Sequence, residues 1–215
     1  MFSPSSILMV TILTGCSTAP ENAAEPTPTE TPSEAPASEE PATAEAPEPT
    51  EAQDNGRLQA NPGTGSSIQW TGAKITKSHS GNFGDFTVYA TMEDDALTSL
   101  EASIELVSVT ADSSRLAEHL RSEDFFHVQQ YTTSTFTSSS IETTDTGTVI
   151  TGVLDLHGVE NTINFPVTVA AQAEQVHVSA AFSINRQDWG IAYPGRPDDL
   201  IKDDVEIALD IKFPR

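Results

Sequence analysis

His119 and Glu123 are the side chains whose types and spacing best suit acid–base or metal chemistry. They lie four residues apart, so on a helix they would share one face, as metal ligands and acid–base partners do. No HExxH motif or cysteine cluster accompanies them, and no GxSxG nucleophile motif is present. We therefore interpret them as a solvated pair or a helix cap, and we predict neither catalytic residues nor a metal site.

Arg186 and Asp188 form a second pair with chemical potential. They are two residues apart in the segment INRQDWG, so on a strand they would share a face. One interpretation is a structural ion pair at the edge of a β-structure. The other is contact with the polar head group of a ligand held in a neighbouring pocket.

Cys16 is the only cysteine, so no disulfide can form within the chain. It follows a short apolar run at residues 7–13, which is typical of a secretion signal and too short to span a bilayer. The ending LTGC resembles a bacterial lipobox. The resemblance implies a lipoprotein signal peptide at residues 1–15, cleavage before Cys16, and its acylation with palmitate-like chains. We expect a lipid-anchored protein of the cell envelope, with its domain in the periplasm or at the outer surface.

Charge is strongly one-sided, with 32 acids against 10 bases. Residues 1–56 contain ten of the acids and no base. The remaining 22 acids and 10 bases give the rest of the chain a net charge of −12. No basic, aromatic-rich face suggests binding to nucleic acid. Residues 16–62 are rich in Pro, Glu, Ala and Thr, and we predict that they form a disordered, extended tether.

From Gly65 onward, apolar residues alternate with polar ones, which is the pattern of half-buried β-strands. About eight such strands are predicted, near residues 68–70, 83–92, 100–110, 133–141, 148–156, 161–170, 175–185 and 204–213. Many alternating strands joined by short turns favour a barrel or a sandwich. A barrel of about eight strands is wide enough to hold one small ligand or to be filled by its own side chains.

Residues 113–127 are the exception, because they read as a helix. Asp112 or Ser113 can cap its start, and Ser122 offers a second cap before Glu123 and Asp124. Its large apolar residues are Leu116, Leu120, Phe125 and Phe126. We predict that this crossing segment spans one end of a barrel and directs these residues inward. The alternative is a surface helix that completes an ordinary core.

Four segments together resemble the YceI-like family of polyisoprenoid-binding proteins. In chain order they are HLRSEDFF, GVLDLHGVENTINFPV, INRQDWG and DDVEIALDI, and the resemblance covers about residues 68–213. It implies an all-β fold, an antiparallel lipocalin-like β-barrel at residues 65–215 with a short helical crossing. It also implies non-catalytic binding or transport of a polyisoprenoid, a quinone-like molecule or a similar long-chain lipid, with no other cofactor.

The candidate lipid-binding residues are the large apolar side chains expected on the inner wall and the crossing segment. They are Phe83, Phe86, Leu116, Leu120, Phe125, Phe126, Phe136, Phe182 and Trp189, with Arg186 and Asp188 as head-group candidates. The expected partners are the lipid, the membrane through Cys16, and a second copy in a possible homodimer. The alternative is a filled barrel that serves as a structural or interaction domain on its tether.

Overall fold

The structure, a computed structural model, describes residues 57–145 and 147–215. Eleven antiparallel strands form one sheet that curls into a lipocalin-like barrel, and a single α-helix is present among the described residues. This confirms the predicted all-β barrel with a helical crossing. No helix in the described part of the chain is both long enough and apolar enough to cross a bilayer.

The strands are β1 Arg57–Ala60, β2 Ser67–Lys74, β3 Ser78–Asn82, β4 Phe86–Glu93, β5 Ala96–Glu105, β6 Thr133–Thr144, β7 Gly147–Leu156, β8 Val159–Ala171, β9 Gln175–Asn185, β10 Gly195–Arg196 and β11 Asp199–Pro214. The helix α1 is Ser114–Arg121, and 3₁₀ turns occupy Pro62–Thr64, Leu106–Ser108 and Arg186–Trp189. Neighbouring strands follow the order β1-β4-β5-β6-β7-β8-β9-β11-β2-β3, with β10 paired to β11. The eight long strands are those that the alternation predicts, whereas β1, β3 and β10 are short and lack it.

Strand β1 places the start of the folded domain earlier than the sequence suggested. It pairs with β4, where Leu58 faces Ala90, and its last residue, Ala60, is fully buried. The predicted tether boundary at residue 62 is therefore wrong for residues 57–62. The segment RLQA contains one large apolar residue, so its strand forms by pairing with β4 and not by a pattern of its own. Residues 1–56, with the predicted signal peptide, Cys16 and most of the tether, lie outside the described residues.

The β2–β3 side of the barrel is held to the segment that leads into the helix. The amide of Thr110 donates to the Asn82 carbonyl at 2.8 Å, and that of Asp112 donates to the Ser80 carbonyl at 3.0 Å. At Gly81, a Cβ would lie 1.9 Å from the Thr110 carbonyl oxygen. Only glycine permits these two backbones to approach so closely.

Strands β8 and β9 pair over only part of their length. Their register runs from Thr168, opposite Ser179, to Ala171, opposite Val176. The turn Arg186–Trp189 packs against β8 beyond the paired part, where the side-chain amide of Asn161 donates to the Asp188 carbonyl at 2.9 Å. The same turn is anchored on β7, because the buried Trp189 indole Nε1 donates to the Leu154 carbonyl at 3.1 Å.

Helix α1 begins as predicted but ends differently. The Ser113 hydroxyl accepts from the Leu116 amide at 3.3 Å, which confirms the N-cap. The predicted second cap is wrong: the Ser122 hydroxyl donates to the His119 carbonyl at 2.7 Å and closes the C-terminus of α1. The chain then folds back in turns, and the Phe126 amide donates to the Leu120 carbonyl at 3.0 Å. A hydroxyl at this position satisfies one of the carbonyls that the end of a helix leaves free.

Candidate functional site

The barrel interior is hollow at one end. This cavity end is where β6, β8 and β11 begin and where β2, β5, β7 and β9 finish. The cavity measures about 210 Å³ and is walled almost entirely by apolar side chains. Those contributed by the strands include Ile68, Trp70, Leu100, Ile104, Phe136, Leu154, Leu156, Ile163, Phe165, Phe182, Ile184, Val205, Ile207 and Leu209.

The opposite, filled end has a solid core. On β11, Val205, Ile207 and Leu209 line the cavity, whereas Ile211 and Phe213 continue the same face and are buried in the packed interior. Strand β9 shows the same division. Phe182 and Ile184 line the cavity, whereas Val176 and Val178, earlier on the same strand, are fully buried. On each of these strands, the inward-facing residues therefore form the cavity wall at one end of the barrel and the solid core at the other.

Three phenylalanines in mutual contact lie on the cavity wall. The rings of Phe165 and Phe182 are nearly parallel, with centroids 4.2 Å apart, and Phe136 packs on Phe165 at 5.5 Å. Phe165 faces Ile150 on β7, which is fully buried and does not line the cavity. Aromatic contacts of this kind are more favourable than their area alone predicts. They give the deep part of the cavity a rigid apolar surface.

The crossing segment covers the cavity as the sequence analysis predicted. Leu116 and Leu120 of α1, and Phe125 and Phe126 of the following turns, all line it. The ring of Phe126 lies 6.0 Å from that of Phe83. His119, Phe125 and Tyr193 form a cluster with centroids 5.0 to 5.3 Å apart. This cluster holds the crossing segment against the loop that follows Trp189.

Seven of the nine candidate lipid-binding residues line the cavity. They are Phe83, Leu116, Leu120, Phe125, Phe126, Phe136 and Phe182. Phe86 and Trp189 do not; each is about 2% exposed and is part of the surrounding core. Trp189 is held away by its hydrogen bond to Leu154, described above. Contact of the seven with a lipid stays a prediction.

Arg186 and Asp188 do not share a strand face, because both lie in the 3₁₀ turn. Arg186 is buried and lines the cavity, but its guanidinium donates to the carbonyls of Ile191 and Lys202 and pairs with Asp203 at 3.0 Å. Asp188 is exposed. A structural ion pair therefore exists, with Asp203 and not Asp188 as its acid.

The pair His119 and Glu123 is not formed either. Nε2 of His119 bonds to Asp124 at 2.9 Å, and Glu123 is exposed. Within residues 57–145 and 147–215, no three or more His, Cys, Asp and Glu side chains are grouped so that they could hold a metal ion. His157 and Gly158 form the turn between β7 and β8, at φ values of 56° and 73°.

Lys74 and His79 also line the cavity, and the sequence analysis did not single them out. They lie on the rim, which we define as the end of β2, the start of β3 and the turn between them, together with the turn between β10 and β11. Lys74 Nζ is 3.6 Å from Asp199, and His79 Nδ1 bonds to Asp112 at 2.8 Å. Burial raises the pKa of Asp199, but the hydrogen bonds from Thr76 and the charge of Lys74 outweigh it and lower the pKa. The signal that could have found them is strand register, which places His79 opposite Gly72.

The family model of the YceI-like domain matches residues 59–213. A UPF0312 protein of Ectopseudomonas mendocina is 36% identical over 74 residues, which are 34% of this chain and 37% of that protein. A UPF0312 protein of Photorhabdus laumondii is 31% identical over 81 residues, which are 37% of this chain and 42% of that one. The chain thus spans less than half the length of these curated relatives.

Solved structures share the fold at low sequence identity. BcnA of Burkholderia cenocepacia has a TM-score of 0.62 and 20% identity, over 69% of this chain and 96% of that one. A Saccharophagus degradans domain described as polyisoprenoid-binding has a TM-score of 0.59 and 16% identity, over 73% and 98%. A YceI protein of Campylobacter jejuni has a TM-score of 0.55 and 24% identity, over 63% and 84%. These similarities establish the architecture of the barrel.

Proposed function

This chain belongs to the YceI-like family, and we propose that its barrel binds or carries a polyisoprenoid or similar long-chain amphipathic lipid without catalysing a reaction on it. The observation that carries the proposal is the apolar cavity beneath the crossing segment. Burial of each methylene contributes about 0.8 kcal/mol. Ten buried methylenes would therefore favour binding by roughly 8 kcal/mol before the costs of association.

The nature of the cavity supports a chain-like hydrocarbon over a polar ligand. Its long walls are apolar from the phenylalanine cluster to the rim, so a polar molecule would lose hydrogen bonds to water without replacing them. The description of the Saccharophagus degradans domain as polyisoprenoid-binding agrees with this ligand class. At about 210 Å³ the cavity is smaller than the roughly 300–1,000 Å³ of typical ligand pockets. A long chain must therefore extend beyond the cavity.

Native mass spectrometry tests the proposal directly. The full chain, purified under mild conditions, is expected either to retain a lipid or to take up an added long-chain prenol or quinone. Prenols of increasing length serve as a matched series, because a cavity of fixed size should favour short chains unless its wall opens. Absence of both retained lipid and uptake would refute lipid binding.

The competing function is a structural or interaction domain with a solid barrel. The filled end favours it, since that part of the interior is packed with the chain's own side chains. The cavity end favours lipid binding, because an apolar space that packs no side chains forgoes contacts that a protein core normally makes. The uptake experiment separates the two.

We further propose that the domain is displayed on an envelope lipoprotein, anchored through acylated Cys16. The support is the sequence LTGC after an apolar run, in a part of the chain outside the described residues. Several acyl chains would hold the protein firmly, whereas a single chain is a weak anchor. The domain would then lie in the periplasm or at the outer surface.

Replacement of Cys16 by serine is expected to move the protein from the membrane fraction to the soluble fraction. A thioether cannot form on serine, so acylation and the cleavage that depends on it should both fail. The measurement is fractionation with mass spectrometry of the N-terminus, and the control is Ser17→Ala, which keeps the cysteine. If the wild-type protein does not begin at Cys16 or carries no acyl chain there, the anchor proposal is wrong.

A further inference from the structure

Strands β8 and β9 leave an unpaired stretch in the barrel wall. Their ladder ends at Thr168 and Ser179, although β8 stays paired with β7 back to its first residue and β9 stays paired with β11 to its last. Residues 162–167 of β8 and 180–185 of β9 therefore run side by side without belonging to a common ladder. We call this stretch the seam.

A proline lies where the ladder ends. Pro166 is two residues from Thr168 and, within residues 57–145 and 147–215, is the only proline in the interior of a strand. It has no N–H to donate, and Val149 of β7 is its cross-strand partner, so β8 cannot supply complete ladders to both neighbours here. Along the seam the two strands can move apart without breaking a ladder between them, which elsewhere in the barrel would be costly.

A groove on the outer surface opens at the head of the seam. It measures about 510 Å³ and is lined by residues 147–149 of β7, 166–168 of β8 and 179–181 of β9. Val167 and Ala180 are each two residues from a cavity-lining phenylalanine, so alternation places them on the inward face. They line the outer groove nevertheless. The groove therefore cuts into the barrel wall along the seam.

Phe165 and Phe182 lie between the groove and the cavity. Their rings, stacked across the seam, both line the cavity. Phe165 is 2% exposed and packs on Phe136, whereas Phe182 is only partly buried. Phe182 is thus the less confined ring of the pair, and its rotation away from Phe165 would join the two spaces.

Opening the seam breaks fewer contacts than lifting the crossing segment. The Arg121 guanidinium ties that segment to the carbonyls of Val107 and Val109, at 2.7 and 2.6 Å. At the seam, the contact to be opened is the stacked ring pair. The hydrogen bond between Asn161 and Asp188 lies four residues further along β8 and stays intact.

We propose that the groove is a second binding site for hydrocarbon, and that a long prenyl or acyl chain leaves the cavity through the seam to lie in it. This inference rests on the proposed lipid binding and adds the path of the chain. The cavity alone is smaller than a typical ligand pocket, whereas the cavity and the groove together fall within the usual range. No charged side chain lines the groove, and a chain there would cover Val149, which is 40% exposed.

Photo-crosslinking on the full chain maps the path. Geranylgeraniol and the shorter geraniol each carry a diazirine at the end remote from the hydroxyl, and labelled peptides are identified by mass spectrometry. We expect the geranylgeraniol label on residues 147–149 and 179–181, and the geraniol label on the cavity walls. A geranylgeraniol label confined to the cavity walls, the crossing segment or the rim would overturn the proposal.

Val149→Glu tests the contribution of the groove to affinity. If a charge there removes the burial of roughly two methylenes, Kd for geranylgeraniol should rise about tenfold, and Kd for geraniol should be unchanged. The matched control is Val153→Glu, on the same strand and the same outward face but outside the groove, which should leave both values unchanged. Thermal unfolding is measured on both variants. Equal effects of the two variants on geranylgeraniol would contradict the groove site.

The outcomes separate this path from the proposed function. If geraniol and geranylgeraniol both bind but neither labels the groove, the second site is wrong and lipid binding stands. If neither prenol binds, lipid binding itself is wrong and the second site falls with it.

Discussion

Gly72→Phe is expected to weaken lipid binding about a hundredfold while leaving the barrel folded. Gly72 lies on β2 and lines the cavity. A Cβ there would have its nearest contact with the Trp70 ring at 3.7 Å, an ordinary van der Waals distance, and the backbone conformation suits any residue. A phenylalanine would therefore extend into the cavity. If it displaces about four methylenes, the loss is about 3 kcal/mol, or roughly a hundredfold in Kd.

Thr71→Phe is the matched control for this variant. Thr71 is the neighbour of Gly72 on the same strand, so its side chain points to the other face of the sheet. The added ring would lie outside the cavity, and lipid binding should be retained. Lipid titration and thermal unfolding are measured on both variants. Wild-type affinity in a folded Gly72→Phe protein would contradict the assignment of the cavity as the lipid site.

Ile211→Ala is expected to destabilise the protein by about 3–4 kcal/mol, in the middle of the range for such core truncations. Ile211 is 2% exposed and lies in the filled end, where removal of three carbons leaves an enclosed void. Ile207→Ala, on the same face of the same strand, should cost only about 1–2 kcal/mol, because its side chain already borders the cavity and has fewer partners to lose.

The two isoleucine variants are compared by urea denaturation of ligand-free protein. Because residue type, strand and face are the same, the difference isolates the packing at the two ends of the barrel. Addition of a bound lipid at a hundred times its Kd should then stabilise wild-type protein by about 2.7 kcal/mol. Equal losses for Ile207→Ala and Ile211→Ala in ligand-free protein would mean that the interior is uniformly packed.

The long strands and the helix could be predicted because a local sequence pattern indicates each of them. On β11, five apolar residues alternate with polar ones over Val205–Phe213, and the structure gives one strand from Asp199 to Pro214. Ser113 is followed by the apolar pair Leu116 and Leu120, and the structure caps α1 at Ser113. Periodicity and capping depend on residues within a few positions of each other, so a single sequence contains them.

The errors lie where the conformation depends on distant partners. Strand β1 forms by pairing with β4, and this distant partner cannot be seen in the local sequence. The predicted tether therefore extends too far along the chain. Arg186 was paired with the nearest acid in sequence, yet its partner is Asp203, which strand β11 brings alongside the turn. Trp189 was assigned to the cavity wall, but the Leu154 carbonyl on β7 holds its indole in the core.

The sequence by itself determined that the protein is an all-β barrel with one helical crossing. It also determined which side chains of each strand face inward. A period of two assigns a residue to a face but says nothing about its depth along the barrel. Depth is decided by how eight strands from distant parts of the chain converge. Only the tertiary structure could therefore show that Leu209 borders a cavity while Ile211, two residues later, lies in a solid core. The same convergence brought Lys74 and His79 together at the rim.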